Sequence, residues 1–266
     1  MPRAIVCGTG IRYEIVGPAG GETVALLNGI AMSIGHWKPI ADALVAAGYR
    51  VLLHDMRGQL LSDKTDEVYS LEGHARDFAG LLEVLGLGAA RVIGTSYGAE
   101  VGLCFARDFP ALTKTLVLID GAAGYDEVLG MAIESWKAAA LADPLLFYKS
   151  ILPWNYSGAW IRANREILRK REMEISSLPR EYFESFARLC DSFLRIDLAK
   201  DLDRIATPVL VIVGDADILK PPRYSRALAE GIKGARYAEI PGAGHAVAIE
   251  RPVEVARLAL EFMRGT

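Results

Sequence analysis

The sequence predicts an α/β architecture: a mostly parallel central sheet of about eight strands, helices on both faces, and a helical segment inserted into it. Three observations predict it. Short continuous apolar runs alternate with amphipathic stretches, the rhythm of βαβ units. Asn28, Asp55, Ser96 and Asp120 fall just past the carboxyl ends of such runs, where open parallel sheets gather their functional groups. The rhythm stops between residues 121 and 196, where helical patterns rich in aromatics replace it, and resumes at Pro208.

The elements follow in order. Ile5-Val6-Cys7 and Ile11 to Val16 read as two strands of an antiparallel edge, separated by the turn Gly8-Thr9-Gly10. That pair of glycines lacks the third glycine and the following helix of a nucleotide loop. Thr23 to Leu27 is a continuous apolar run, as expected of a strand covered on both faces. A helix is expected from about His36 to Ala47, with Pro39 in its first turn and Gly48 past its end. Arg50 to His54 is the next buried strand. Leu71, Phe78, Leu81, Leu82 and Leu85 recur at helical spacing over residues 70–85. Then come the strand Arg91-Val92-Ile93, a helix over 99–109, and the strand Thr115 to Ile119.

The inserted segment predicts a helix near 125–142, a short one after Asp143-Pro144, and helices near 159–175 and near 179–196. Most of its aromatics serve packing, and the rest can line an apolar pocket. Its run Arg162, Arg165, Arg169, Lys170 and Arg171, mixed with glutamates, reads as a solvated helix face. Strands at 208–213 and 235–240 and a helix opening at Pro252 complete the chain. Two units are therefore expected: a core of residues 1–120 and 197–266, and a helical cap of residues 121–196.

Bulk composition narrows the function. Of 266 residues, 52% are hydrophobic and 24% charged, which suits a chain with a substantial core. A net charge of −3 without a basic stripe speaks against nucleic acid as a partner. No run approaches the roughly 18 apolar residues of a spanning helix, so no membrane partner is expected. Residues 1–8 lack an extended apolar stretch, so no signal peptide is expected. Cys7, Cys104 and Cys190 have no metal-type spacing and suit reduced thiols in a cytoplasmic compartment.

The chemistry centres on Gly94-Thr95-Ser96-Tyr97-Gly98. A serine between two glycines, after a strand and before a helix, is what a tight strand-to-helix turn requires. A serine hydroxyl is a weak nucleophile and needs a base, which in turn needs an orienting acid. Of the four histidines, His245 lies in a glycine-rich loop past a strand and can reach over the sheet edge. His54 lies in a buried-type strand and reads as a core histidine, whereas His36 and His74 read as surface residues. Asp217 follows the strand 208–213 and gives the chain order Ser, Asp, His. Asp120, at the end of an earlier strand, is its competitor, and Asp215 is a neighbour.

Together, Leu27-Asn28-Gly29, Asp55-Met56-Arg57-Gly58 with Ser62-Asp63, the Gly94–Gly98 turn, Gly214-Asp215-Ala216-Asp217 and Gly242-Ala243-Gly244-His245 resemble the α/β-hydrolase fold superfamily over almost the whole chain. The nearest likeness is to small bacterial esterases, enol-lactonases, C–C bond hydrolases and perhydrolases. The resemblance implies Ser96 as nucleophile, His245 as base and Asp217 as acid. It implies an oxyanion hole from the backbone N–H groups of Ile30 and Tyr97. It implies a small ester as substrate and no metal or organic cofactor. Lactonase, C–C hydrolase, perhydrolase and acyltransferase activities use the same three residues, and a small-molecule receptor on this scaffold is the alternative from another class. Two positions depart from most relatives: Asn28 stands where they carry His, and Leu60 where they carry Gly. The sequence leaves open whether the chain is a monomer or a homodimer.

Overall fold

The computed structural model describes residues 2–266. One eight-stranded sheet organises the chain, with strand order β1-β2-β4-β3-β5-β6-β7-β8. Strands β1 (Arg3–Val6) and β2 (Thr9–Val16) form the antiparallel hairpin; its turn is Cys7-Gly8, both at positive φ, while Thr9 and Gly10 already pair with Val6 and Ile5. β2 also runs antiparallel to β4 (Arg50–His54). β3 (Thr23–Leu27), β5 (Ala90–Thr95), β6 (Thr113–Ile119), β7 (Val209–Gly214) and β8 (Arg236–Ile240) pair in parallel with one another and with β4.

The inner parallel strands are largely apolar because both faces are covered, whereas the edge strand β8 buries only Ile240. Ala25, Leu27, Val92 and Leu116 face one core, with Phe78 of α2 (Leu71–Val84) and Phe105 of α3 (Tyr97–Asp108). Val24, Leu26, Ile93 and Val117 face the other, with Leu44 of α1 (Lys38–Ala46) and Phe262 of α11 (Pro252–Arg264). Alternate residues of one strand thus enter opposite cores, as the two-residue repeat of a strand requires. Each fully buried Leu or Val contributes about 1.5–3 kcal/mol.

The chain leaves β3 outward to β4, then crosses back to β5 on the other side of β3. The reversal opens a crevice at the carboxyl ends of β3 and β5. Both the Asn28-Gly29-Ile30 loop and Ser96 stand there.

Five helices connect β6 to β7: α4 (Glu127–Ala142), α5 (Pro144–Asn155), α6 (Gly158–Ala163), α7 (Arg165–Ser176) and α8 (Arg180–Phe193). Asp126, Asp143 and Ser157 cap three of them by accepting the N–H of Leu129, Leu146 and Trp160. The helix after Pro144 is longer than the sequence suggested, and the expected helix 159–175 breaks in two at Asn164. Residues 36–47 also begin differently, as a short 3₁₀ turn, Ile34–Trp37, that leads into α1. The insertion closes at its root, where Leu198 donates to the Ala123 carbonyl at 2.9 Å. α4 packs on α5 and α8, and Phe147 meets Phe186 with ring centroids 4.6 Å apart.

The remaining helices are α9 (Pro222–Gly231) and the short α10 (Val247–Glu250). Among the described residues, no helix is long and apolar enough to cross a membrane.

Candidate active site

The turn between β5 and α3 places Ser96 at φ +50°, ψ −119°, a conformation L-residues rarely adopt. Close packing maintains it. A Cβ on Gly94 would lie 2.6 Å from the Gly98 carbonyl carbon, and one on Gly98 would lie 2.7 Å from the Asn28 carbonyl oxygen. Only glycine lets the strand, the helix and the β3 loop approach this closely. The Ser96 N–H donates to the Ile119 carbonyl at 2.8 Å, tying the apex to the neighbouring strand.

His245 and Asp217 converge on this serine. Ser96 Oγ lies 2.9 Å from His245 Nε2, and His245 Nδ1 lies 2.8 Å from Asp217 Oδ2. The second carboxylate oxygen of Asp217 accepts the backbone N–H groups of Leu219 and Lys220 at 2.8 and 2.9 Å. Asp217 and His245 are buried, while Ser96 is half-buried at the cavity wall.

Asp120, the competing acid, sits beside them at φ +51° with its Oδ1 accepting the Gly214 N–H at 3.1 Å. Burial and the neighbouring Asp217 charge hold its carboxyl well above the usual carboxylate range. It makes no bond to the imidazole, and Asp217 carries the bond to His245. Ligating atoms of Asp120, Asp217 and His245 all lie within 4.8 Å, a group compact enough to consider for a metal. Asp217, however, already spends both oxygens on protein partners.

The loop after β3 is braced from below. Asn28 accepts the Trp37 indole N–H at 2.8 Å and donates toward Gln59 Oε1 at 3.2 Å and Asp55 Oδ1 at 3.4 Å. Gln59 in turn donates to the Gly29 carbonyl at 2.9 Å and accepts the Met56 N–H at 3.0 Å. Asn28 therefore braces the loop at the position where most relatives carry His. Leu60, at the other departing position, adopts φ +22° and lines the cavity. Among the described residues, the N–H groups of Ile30 and Tyr97 donate to no protein acceptor.

The cavity above Ser96 measures about 430 Å³. Ile30, Trp136, Ile151, Leu152, Tyr182 and Phe186 give it a largely apolar wall. Several aromatics of the insertion are thus pocket residues, and others, such as Phe147 and Phe183, are packing.

Three polar residues differ from the sequence reading. His74 is not on the surface: it shares the inward face of α2 with Leu71, Ala75 and Phe78 and meets Tyr97 edge-on. Burial, with the Arg57 charge nearby, lowers its pKa to about 3. His36 lines the cavity, and burial together with Arg171 lowers its pKa to about 4. Arg171 departs from the solvated face, because its guanidinium turns to the Tyr156 hydroxyl at 2.7 Å and also lines the cavity. Among the described residues it has no ion-pair partner within 4.0 Å. His54 is the expected core histidine, stacked on Phe78, although its Nδ1 lacks a partner.

Residues 24–258 match the alpha/beta hydrolase family. The chain belongs to that family. It is a hydrolase with the family's fold, as the sequence resemblance implied. A relative from Azorhizobium caulinodans, provisionally named carbamate hydrolase RutD, is 30% identical over 98% of each chain. The enol-lactonase from Burkholderia xenovorans superposes with a TM-score of 0.89 at 26% identity, covering 99% of this chain and 100% of that one. A malate-bound thermophilic esterase from Thermogutta terrifontis gives 0.88 at 26% identity, covering 100% and 99%.

Proposed function

We propose that this hydrolase cleaves a small carboxylic ester through an acyl-enzyme on Ser96. The observation that carries the reading is the chain of hydrogen bonds from Ser96 Oγ through His245 to Asp217, at the wall of a 430 Å³ cavity. Ser96 attacks the ester carbonyl carbon while His245 Nε2 takes the hydroxyl proton. Asp217 orients the imidazole and stabilises its charged form. The N–H groups of Ile30 and Tyr97 receive the oxyanion, and that of Tyr97 belongs to the first turn of α3, whose dipole favours negative charge. His245 then protonates the departing alcohol, and a water activated by the same histidine releases the acid. The steps invoke no metal and no organic cofactor.

Residues 121–196 act in this reading as the cap that closes the site. Its apolar wall suits an apolar acyl or alcohol group, and Arg171 can take a carboxylate elsewhere on the substrate. The name of the Azorhizobium relative brings carbamates into the same reading, since attack by Ser96 on a carbamate gives a carbamoyl-enzyme by the same steps.

The test is a panel of p-nitrophenyl esters, lactones, carbamates and acyl thioesters on the wild type and on Ser96→Ala. Hydrolysis of one class by the wild type only, with a fluorophosphonate attached to Ser96, supports the reading. Hydrolysis that survives in Ser96→Ala overturns it. A wild type that turns over no member of the panel and whose serine stays unlabelled points to a receptor.

A further inference from the structure

Three residues after Asp217, Lys220 does two things. Its backbone N–H donates to Asp217 Oδ1 at 2.9 Å, and its side chain reaches Ser96, with Nζ 3.4 Å from Oγ. The same Nζ lies 2.9 Å from Glu100 Oε1 and 4.8 Å from the centre of the Phe193 ring. Glu100 stands one turn into α3, four residues past Ser96, and its Oε1 also accepts the Ala122 N–H at 2.8 Å. The two side chains are only 2% and 0% exposed. Burying an ion pair this completely costs several kcal/mol per ion in desolvation before the attraction offsets it. A neutral pair that kept an acceptor for the Ala122 N–H would hold the Asp217 loop to α3 as well or better. The charge is therefore to be explained by what it touches, and what it touches is Ser96 Oγ.

We propose that Lys220, anchored by Glu100, is a positioning residue for Ser96: it fixes the direction of the hydroxyl proton and stabilises charge on Oγ as the acyl bond breaks. The proposal rests on the reading of Ser96 as nucleophile. A hydroxyl has one proton to donate and two lone pairs. An ammonium offers only donors, so the Ser96 proton cannot turn toward Lys220. With one lone pair occupied by Lys220, the proton points to His245 Nε2, and the other lone pair stays available to a carbonyl in the cavity.

In the second half of the reaction, water adds to the acyl carbon and gives its proton to His245. The C–Oγ bond then breaks, its electron pair stays on Oγ, and the imidazolium returns a proton there. Lys220 keeps its three protons throughout and stabilises the electron pair as it arrives. Charged and titratable groups around this point are Glu100 on α3, Asp120 past β6, and Asp217 and His245 in their loops. Lys220 lies outside the cavity wall, so it acts on the nucleophile and does not contact substrate.

The test compares the wild type with Lys220→Met, Glu100→Gln and the double variant Lys220→Met/Glu100→Gln, by stopped-flow hydrolysis of an ester from the panel that the wild type turns over and by thermal melting. Lys220→Met is expected to lower kcat about ten- to a hundredfold, the worth of one charge-assisted hydrogen bond, with KM falling alongside it as the acyl-enzyme accumulates. Deacylation is expected to slow more than acylation, so the pre-steady-state burst grows. The double variant, which leaves no unpaired buried charge, is expected to recover the melting temperature but not kcat. It and Glu100→Gln carry the test if Lys220→Met does not fold. A double variant with wild-type kcat and burst overturns the proposal and leaves the pair a structural tie. Ester hydrolysis that survives in Ser96→Ala is a different failure, that of the Ser96 reading itself.

Discussion

At the scale of single residues, the site depends on which of two neighbouring aspartates reaches His245. Asp217 accepts two backbone N–H groups and faces the imidazole, whereas Asp120 accepts the Gly214 N–H and its carboxyl is pushed up by burial beside Asp217. Asp217→Asn should therefore lower kcat by roughly 10⁴-fold, as loss of the orienting acid does in related chemistry. Asp120→Asn, which preserves the acceptor for Gly214, should leave kcat within about tenfold of wild type. Steady-state kinetics of the two variants separate the assignments, and equal losses would reject the choice of Asp217. Arg171 acts at the same scale. Arg171→Met should reduce kcat/KM for esters bearing a free carboxylate about tenfold or more, and leave neutral esters of equal length unchanged. A parallel loss on both substrates would make Arg171 a support for the Tyr156–Trp160 stack only.

The element that holds the site is the tight passage from β5 to α3. Gly98→Ala would drive a methyl group into the carbonyls that end β3, which are backbone and cannot step aside. Loss of the folded chain, or destabilisation of several kcal/mol in a denaturant melt, is the expected result. The β3 loop makes a milder prediction. Gln59→Ala removes the side chain that spans Met56 and Gly29 and should cost about 1–3 kcal/mol, measured by urea unfolding.

Much of this element level was legible in the residues. The Ser96 turn, the apolar strands and the glycine-rich loop of His245 carry their own local patterns. Gln59, Glu100 and Lys220 carried none. Lys220 meets its two partners across 124 and 120 residues, and no local spacing reports such a meeting. His74 did leave a trace, since Leu71, His74, Ala75 and Phe78 are spaced three, one and three apart on one helix face. Arg171 left none, because a charged run on an amphipathic helix looks solvated until another helix defines what lies beneath it.

For the molecule as a whole, the core between the sheet and α2–α3 carries a pH dependence. His54 and His74 are buried, with pKa values lowered from 6.5 to about 4 and about 3. Above pH 6.5 both states are neutral at these positions and nothing is lost. Below it, the unfolded chain takes up protons that the folded chain refuses. Stability should fall by about 1.4 kcal/mol per pH unit for each histidine as pH drops from 6.5 toward those lowered values. Urea unfolding between pH 7 and 4.5 measures the slope, and His74→Phe should flatten it. An unchanged slope in that variant would show that His74 is not its source.

The root of the helical insertion has a consequence for engineering. Ala123 and Leu198 are joined by one hydrogen bond, so the chain leaves the sheet and returns to it at nearly the same point. A different run of helices spliced between these two residues would leave the strand order untouched. Further contacts limit such a graft, among them Ser157 donating to Glu250 and the Tyr97 hydroxyl donating to Ser192. The Ala246 N–H, next to His245, donates to the Asn155 carbonyl at the end of α5 at 2.7 Å. A replacement that omits an acceptor at that place frees the histidine loop along with the pocket, so substrate preference can be exchanged as a cassette only if that carbonyl and the Ser157–Glu250 and Tyr97–Ser192 bonds are rebuilt with it.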